Sequence, residues 1–188
     1  YDIDYARGTL FFREPVTSRD FDFNPNWVVV EYETAGTTDE FLDAGGRAGV
    51  RLMDGRLEAG VTYIHDEERT GESQLAAIDA RMMVTPKDEV RAEFAASRST
   101  EGDVDVSGSA WLVEWDHRGE RFDLLAYARR QGPGFGLGQQ NGTEAGMAKA
   151  GVRGQWRLNE NLSLQGEAYR MENISSETLR HAAQLELA

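Results

Sequence analysis

The sequence predicts an all-β chain, an antiparallel up-and-down meander that forms an outer-membrane-type β-barrel or a large arc of one, with about 10–12 strands. Three observations predict it. From Gly46 onward about nine segments alternate apolar and polar residues with a period of two. The connections between them alternate tight and loose, so an up-and-down meander collects the loose ones at one rim. Aromatic residues then fall near both rims of the apolar face.

The elements follow in order. Residues 1–35 read as a hairpin plus a strand: Ile3-Asp4-Tyr5, a turn at Arg7-Gly8, Thr9-Leu10-Phe11-Phe12, and a β-branched run from Trp27 to Tyr32. Pro15 and Pro25 punctuate the loop between them, because proline cannot donate to a central ladder. This stretch is either the end of a preceding module or the first strands of the barrel. Residues 36–45, rich in Gly, Thr and Asp, form a linker. Residues 46–188 form the meander. Its tight turns are Asp54-Gly55, Thr85-Pro86-Lys87-Asp88, His117-Arg118-Gly119-Glu120 and Asn159-Glu160-Asn161. Its loose connections span residues 65–73, 97–107, 131–146 and 171–177. No segment carries a helical period, so helix content is expected near zero.

Each strand has two unlike faces. One carries, for example, Ala48, Val50 and Leu52, then Ile78, Ala80 and Met82, then Val113 with its flanking tryptophans. The opposite face supplies the candidate lumen-lining residues Arg47, Arg51, Glu58, Arg81, Arg91, Glu93, Arg121, Asp123, Arg153 and Glu167. Arg and Glu or Asp are interleaved between neighbouring strands, so opposite charges can pair across the ladder. Such pairing matters most in a narrow interior, where an unpaired charge is costly. There these residues plug a small barrel with salt bridges or set ion selectivity. The candidate aromatic girdle is Tyr63, Trp111, Trp115, Phe122 and Trp156. The competing arrangement buries the apolar face as a core, giving a soluble β-barrel or sandwich with an apolar interior for binding.

Bulk properties narrow the function. The net charge is −13 and the isoelectric point about 4.7, which disfavours nucleic acid as a partner. Absence of cysteine removes disulfide frameworks and thiolate metal sites. Mean hydropathy is −0.56, and the longest apolar stretches, such as Trp27-Val28-Val29-Val30, fall far short of a spanning helix. Spanning strands expose only alternate residues to lipid, so low hydropathy is compatible with them.

Several stretches resemble the barrel region of large bacterial outer-membrane or cell-surface proteins, in which repeated Ig-like domains precede a β-barrel. They include Asp4-Tyr5-Ala6-Arg7-Gly8-Thr9-Leu10, Val28-Val29-Val30-Glu31-Tyr32-Glu33 and Gly45-Gly46-Arg47-Ala48-Gly49-Val50. Phe23-Asn24-Pro25, Arg91-Ala92-Glu93-Phe94-Ala95-Ala96-Ser97-Arg98 and Gly134-Phe135-Gly136-Leu137-Gly138-Gln139-Gln140-Asn141 also fit. The resemblance implies a bacterial outer-membrane location and contact with outer-membrane lipid and lipopolysaccharide. It also implies further domains of the same longer chain, and it carries over no catalytic residue. The start at Tyr1 and the ending Leu185-Glu186-Leu187-Ala188, without a terminal aromatic, read as an excerpt of such a chain.

The expectation is therefore a non-enzymatic membrane anchor or narrow pore, with no cofactor and no metal. A barrel hydrolase is a further alternative, using His65 beside Asp66 at the loose-loop rim, although no serine nucleophile motif accompanies it. His117 and His181 have no partner nearby in sequence. The run Gly132-Pro133-Gly134-Phe135-Gly136-Leu137-Gly138 lacks the Lys-Ser/Thr ending of a phosphate loop. It reads as a flexible long loop or one that folds into the lumen. Glu101-Gly102-Asp103-Val104-Asp105 is too short for an EF-hand, and the acidic loops read mainly as solvating segments.

Overall fold

A computed structural model describes residues 2–4, 9–11, 43–68, 71–101, 104–136, 145–159 and 162–187. Among these residues every regular element is a strand, in agreement with the predicted class. A short hairpin, β1 (Asp2–Asp4) and β2 (Thr9–Phe11), forms a two-stranded sheet of its own. The expected strand at Trp27 to Tyr32 and most of the linker lie outside the described residues.

The main sheet contains β3 (Ala44–Leu52), β4 (Leu57–Glu68), β5 (Gly71–Thr85), β6 (Asp88–Glu101), β7 (Val104–Arg118), β8 (Phe122–Gln131), β9 (Met147–Asn159), β10 (Leu162–Asn173) and β11 (Thr178–Leu187). Spatial order equals sequence order and every pair is antiparallel. The nine-stranded sheet is not closed. Its outer strands, β3 and β11, run in the same direction, because nine strands alternate. Joining them directly would create a parallel pair, so an all-antiparallel closure takes an odd number of additional strands and an even total.

The strands reach further than the sequence suggested. β3 begins at Ala44, inside the expected linker. The expected loose connections at 65–73 and 97–107 are mostly strand. β4 runs to Glu68 before β5 starts at Gly71, and β6 runs to Glu101 before β7 starts at Val104. Apolar alternation stops at those points, but ladder hydrogen bonds do not require it. The hairpins continue as polar extensions in unbroken register, for example Glu67 opposite Glu72 and Arg98 opposite Ser107. Within the main sheet only the connection after β8 is long, so one of the four expected loose connections remains loose, and the one after β10 is the four-residue turn 174–177.

At the opposite rim, residues 53–56 turn with positive φ at Met53, Asp54 and Gly55, where glycine carries the left-handed conformation without a β-carbon clash. The amide of Gly55 donates to the Leu52 carbonyl at 3.1 Å. The turn after β7 is shifted from the expected position, because the strand runs through His117 and Arg118.

Candidate functional site

Register places the two faces of all nine strands in continuous rows. Arg51, Glu58, Arg81, Arg91, Glu114 and Tyr127 occupy one row of the polar face, from β3 to β8. Ala48, Val61, Ile78, Phe94 and Trp111 occupy one row of the apolar face, from β3 to β7.

The polar face carries a ladder of charges. Arg51 pairs with Glu58 at 2.8 Å and Glu58 with Arg81 at 3.8 Å. Arg81 continues to Glu89 at 2.9 Å, Glu89 to Arg91 at 3.4 Å, and Arg91 to Glu114 at 3.4 Å. Six side chains of alternating sign thus link five strands. Above them, Arg47 forms a two-pronged pair with Asp79, one prong at 2.6 Å. Further along, Asp123 holds Arg157 at 2.5 Å.

The densest part surrounds Glu167. One carboxylate oxygen accepts from the Tyr127 hydroxyl at 3.1 Å and lies 4.0 Å from Lys149 Nζ. The other accepts from Arg153 at 3.1 Å. Lys149 Nζ also sits 3.9 Å from the centre of the Tyr169 ring and 5.4 Å from that of Tyr127, in reach of cation–π attraction. Glu114, Asp116, Asp123, Lys149 and Arg153 are all buried.

Three of the contacts on this face cross an intervening strand, and each crosses at a glycine. Arg47 reaches from β3 to Asp79 on β5 over Gly60, where a β-carbon would lie within 2.7 Å of the guanidinium. Tyr127 reaches from β8 to Glu167 on β10 over Gly151. The segment after β8 reaches Ser97 on β6 over Gly108. Glycine within a strand is the expected sign of such close approach, and this signal was present in the sequence but unread. A β-carbon on Gly151 would lie 2.7 Å from Tyr169 Cβ and 2.8 Å from the Tyr127 oxygen. Gly151→Ala is therefore expected to destabilise the fold by about 1–3 kcal/mol through overpacking. Denaturant titration read by Tyr and Trp emission checks this, and an unchanged midpoint would remove the crossing from the account.

Of the ten candidate lumen residues, nine lie in strands on this face. Arg121 does not: it stands in the turn before β8, exposed, with its carbonyl accepting from the Arg157 amide at 2.8 Å. Apolar alternation misplaced it because strand pairing begins only at Phe122. Glu93 is on the face but exposed. Asp79, Glu89, Glu114, Lys149 and Arg157 complete the network and were not singled out from sequence, since choosing partners requires the register.

The opposite face is open. Val113 is 45% exposed, Ile78 58% and Leu185 73%, whereas Leu125, on the polar face, is 1% exposed. The five girdle candidates, Tyr63, Trp111, Trp115, Phe122 and Trp156, are all on this outer face and 39–52% exposed. Polar residues bound it toward the long-connection rim: His65, Gln74, Arg98, Ser109, Arg130 and Arg170 follow Tyr63, Ala76, Ala96, Trp111, Ala128 and Ala168. This boundary crosses the strands obliquely. Through the ladder, Ala168 on β10 aligns with Met82 on β5, about six residues along that strand from Ala76. At ~3.3 Å per residue and ~4.8 Å between strands, six residues over five strand steps correspond to a tilt of roughly 40° between the strands and the normal to the belt. β9 and β11 blur the line, with Ala148 and Leu179 above it.

Two of the three histidines acquire carboxylate partners. His65 Nε2 lies 3.2 Å from Glu67 Oε1. His117 Nδ1 lies 2.8 Å from Asp88, its cross-strand neighbour, which also accepts from Trp115 Nε1 at 3.1 Å and from the Thr85 hydroxyl. His181 is exposed on the apolar face opposite Arg170. Asp105, above the apolar belt, is held below the usual carboxylate range by the Thr100 hydroxyl and then by Arg98. Among the described residues no group of His, Asp and Glu forms a metal site. No protein-family model, curated protein or solved structure matches this chain.

Proposed function

We propose that this chain is the membrane-spanning wall of a bacterial outer-membrane β-barrel, or an arc of one, and acts as a non-enzymatic anchor or narrow pore of a larger surface protein. The observation that carries this reading is the inversion of burial. On β7 to β9 the charged side chains Glu114, Asp116, Asp123, Lys149 and Arg153 are buried on one face, and toward the open β3 edge Arg51 and Arg81 are paired but still exposed, while large apolar side chains are exposed on the other face. An antiparallel sheet in water does the reverse, with its apolar face on a core and its polar face solvated. Lipid is the solvent in which the observed arrangement is the stable one.

The oblique lower limit of the polar residues adds support, since transmembrane strands tilt by about 35–45°. The salt-bridged interior favours a filled lumen, hence an anchor more than a wide channel. In this reading the outer face meets outer-membrane lipid, and the polar hairpin extensions stand among lipopolysaccharide head groups. A soluble binding module draws on one feature, an open depression on the apolar face lined by Ala126, Ala128, Ala150, Ala168 and Ala183. Such a module needs a second layer over that face.

The test compares the refolded chain in plain buffer and in liposomes by circular dichroism and Trp emission. The expected result is emission blue-shifted only with lipid, since Trp111, Trp115 and Trp156 lie exposed on the apolar face. Emission that is already blue in buffer, from a stable monodisperse sheet, would favour the soluble module.

A further inference from the structure

The chain leaving β8 does not rise away from the sheet; it turns across the polar face. The Gly132 amide donates to the Ser109 carbonyl at 2.8 Å, and the Phe135 amide donates back to the Gly132 carbonyl at 3.1 Å, closing a tight turn. That turn lies on β7 where Gly108 offers no side chain: a β-carbon there would strike the backbone of Gly134 and Phe135. The Gly136 amide then donates to Ser97 Oγ on β6 at 2.8 Å. Ser99 Oγ donates to the Gly136 carbonyl at 3.4 Å and accepts from Ser73 Oγ at 3.1 Å. The returning end is pinned on the other side, where the Gly146 carbonyl accepts from the Ile174 amide at 2.6 Å. A β-carbon on Gly146 would lie 3.7 Å from Pro133. Gly132, Gly136, Ser73, Ser97 and Ala95 are buried as a group.

We infer that residues 132–136 form a strap latched to Ser97 across the long-connection mouth of the polar face, and that this latch controls access of water-borne solutes to that face. The inference rests on the polar face being an interior. The Ser97 hydroxyl holds one backbone amide and the Ser99 hydroxyl one carbonyl, a catch weak enough to open because each net hydrogen bond contributes only about 1 kcal/mol. Gly108 is the notch that lets the strap seat, and the short, side-chain-poor run Gly132-Pro133-Gly134 keeps it thin.

The chain contains no cysteine, so one introduced thiol reports alone. Ala95, two residues from Ser97 on the same face and 6% exposed, is the reporter position. The full chain carrying Ala95→Cys, folded in liposomes, is treated with a charged, membrane-impermeant maleimide. Slow labelling is expected, rising about five- to tenfold when Ser97→Ala removes the catch, and further with Gly108→Val, which unseats the strap. Equal rates in all three proteins, with unchanged strand signal, would overturn the inference. Ser97→Ala is conservative, so the test stands even if Gly108→Val does not fold. Ile78→Cys, on the apolar face, separates the two readings. If it labels freely in liposomes while Ala95→Cys still responds to Ser97→Ala, the strap holds and the membrane reading fails.

Discussion

Val113→Arg is expected to destabilise the lipid-embedded protein by roughly 2–4 kcal/mol, the cost of an arginine on the lipid face of a barrel strand near the bilayer midplane. Val113 suits the test because it lies in the middle of the belt. It is flanked on its own strand by Trp111 and Trp115 and across the ladder by Ala92 and Ala128. It is 45% exposed, so the arginine finds space and meets no packing clash. The effect measured is then the solvent's. In water, an arginine on an exposed strand position falls within about ±0.5 kcal/mol of neutral. Urea titration of the liposome-folded protein, beside the same titration in buffer, reads the difference. Loss of the fold in bilayers alone is the expected pattern. A neutral result in both media would mean that this face never meets hydrocarbon.

Glu167→Ala is expected to cost about 3 kcal/mol or more, because it removes the acceptor shared by Tyr127, Arg153 and Lys149 in a site where all these groups are largely shielded. Arg153 and Lys149 are left 10% and 9% exposed at the side chain, so water compensates little of the loss. The comparison is Glu172→Ala on the same strand. That residue pairs with Arg170 at 3.1 Å on the outer, solvent-open side of the ladder. An exposed pair contributes only ~0–1 kcal/mol. Thermal unfolding of the two variants should therefore separate widely. Equal midpoints would mean that the polar face is as wet as the rim, and that no enclosed interior exists. The sign of the Glu167 effect also bears on function. A destabilised but still inserted variant with raised permeability would point to a plug, whereas unchanged permeability would leave the ladder a purely structural element.

The sequence by itself determined which residue of every strand faces which way. Alternation with period two is a local property of the pleat, so Val50, Ile78, Val113 and Val152 were readable on one side and Arg51, Arg81 and Arg153 on the other without any tertiary knowledge. The same locality explains the misread connections. Residues 65–73 and 97–107 lost their apolar rhythm and looked like loops, yet backbone pairing extends there because hydrogen bonds between strands ignore what the side chains are. Arg121 shows the converse, a residue in phase with a strand that begins one position later.

Only the tertiary structure decided partners. His117 meets Asp88 across 29 residues of chain, and Tyr127 meets Glu167 across 40. Both depend on register, which short tight turns transmit from strand to strand and which no local pattern encodes. The glycine crossings at Gly60, Gly108 and Gly151 required in addition that groups two strands apart come together over a position lacking a side chain. The strap at Ser97 combines all three conditions: register, close approach over a missing β-carbon, and a glycine-rich segment thin enough to lie on the sheet. Side-chain direction follows from the covalent geometry of one strand, whereas contact between distant residues follows from the register and approach of several.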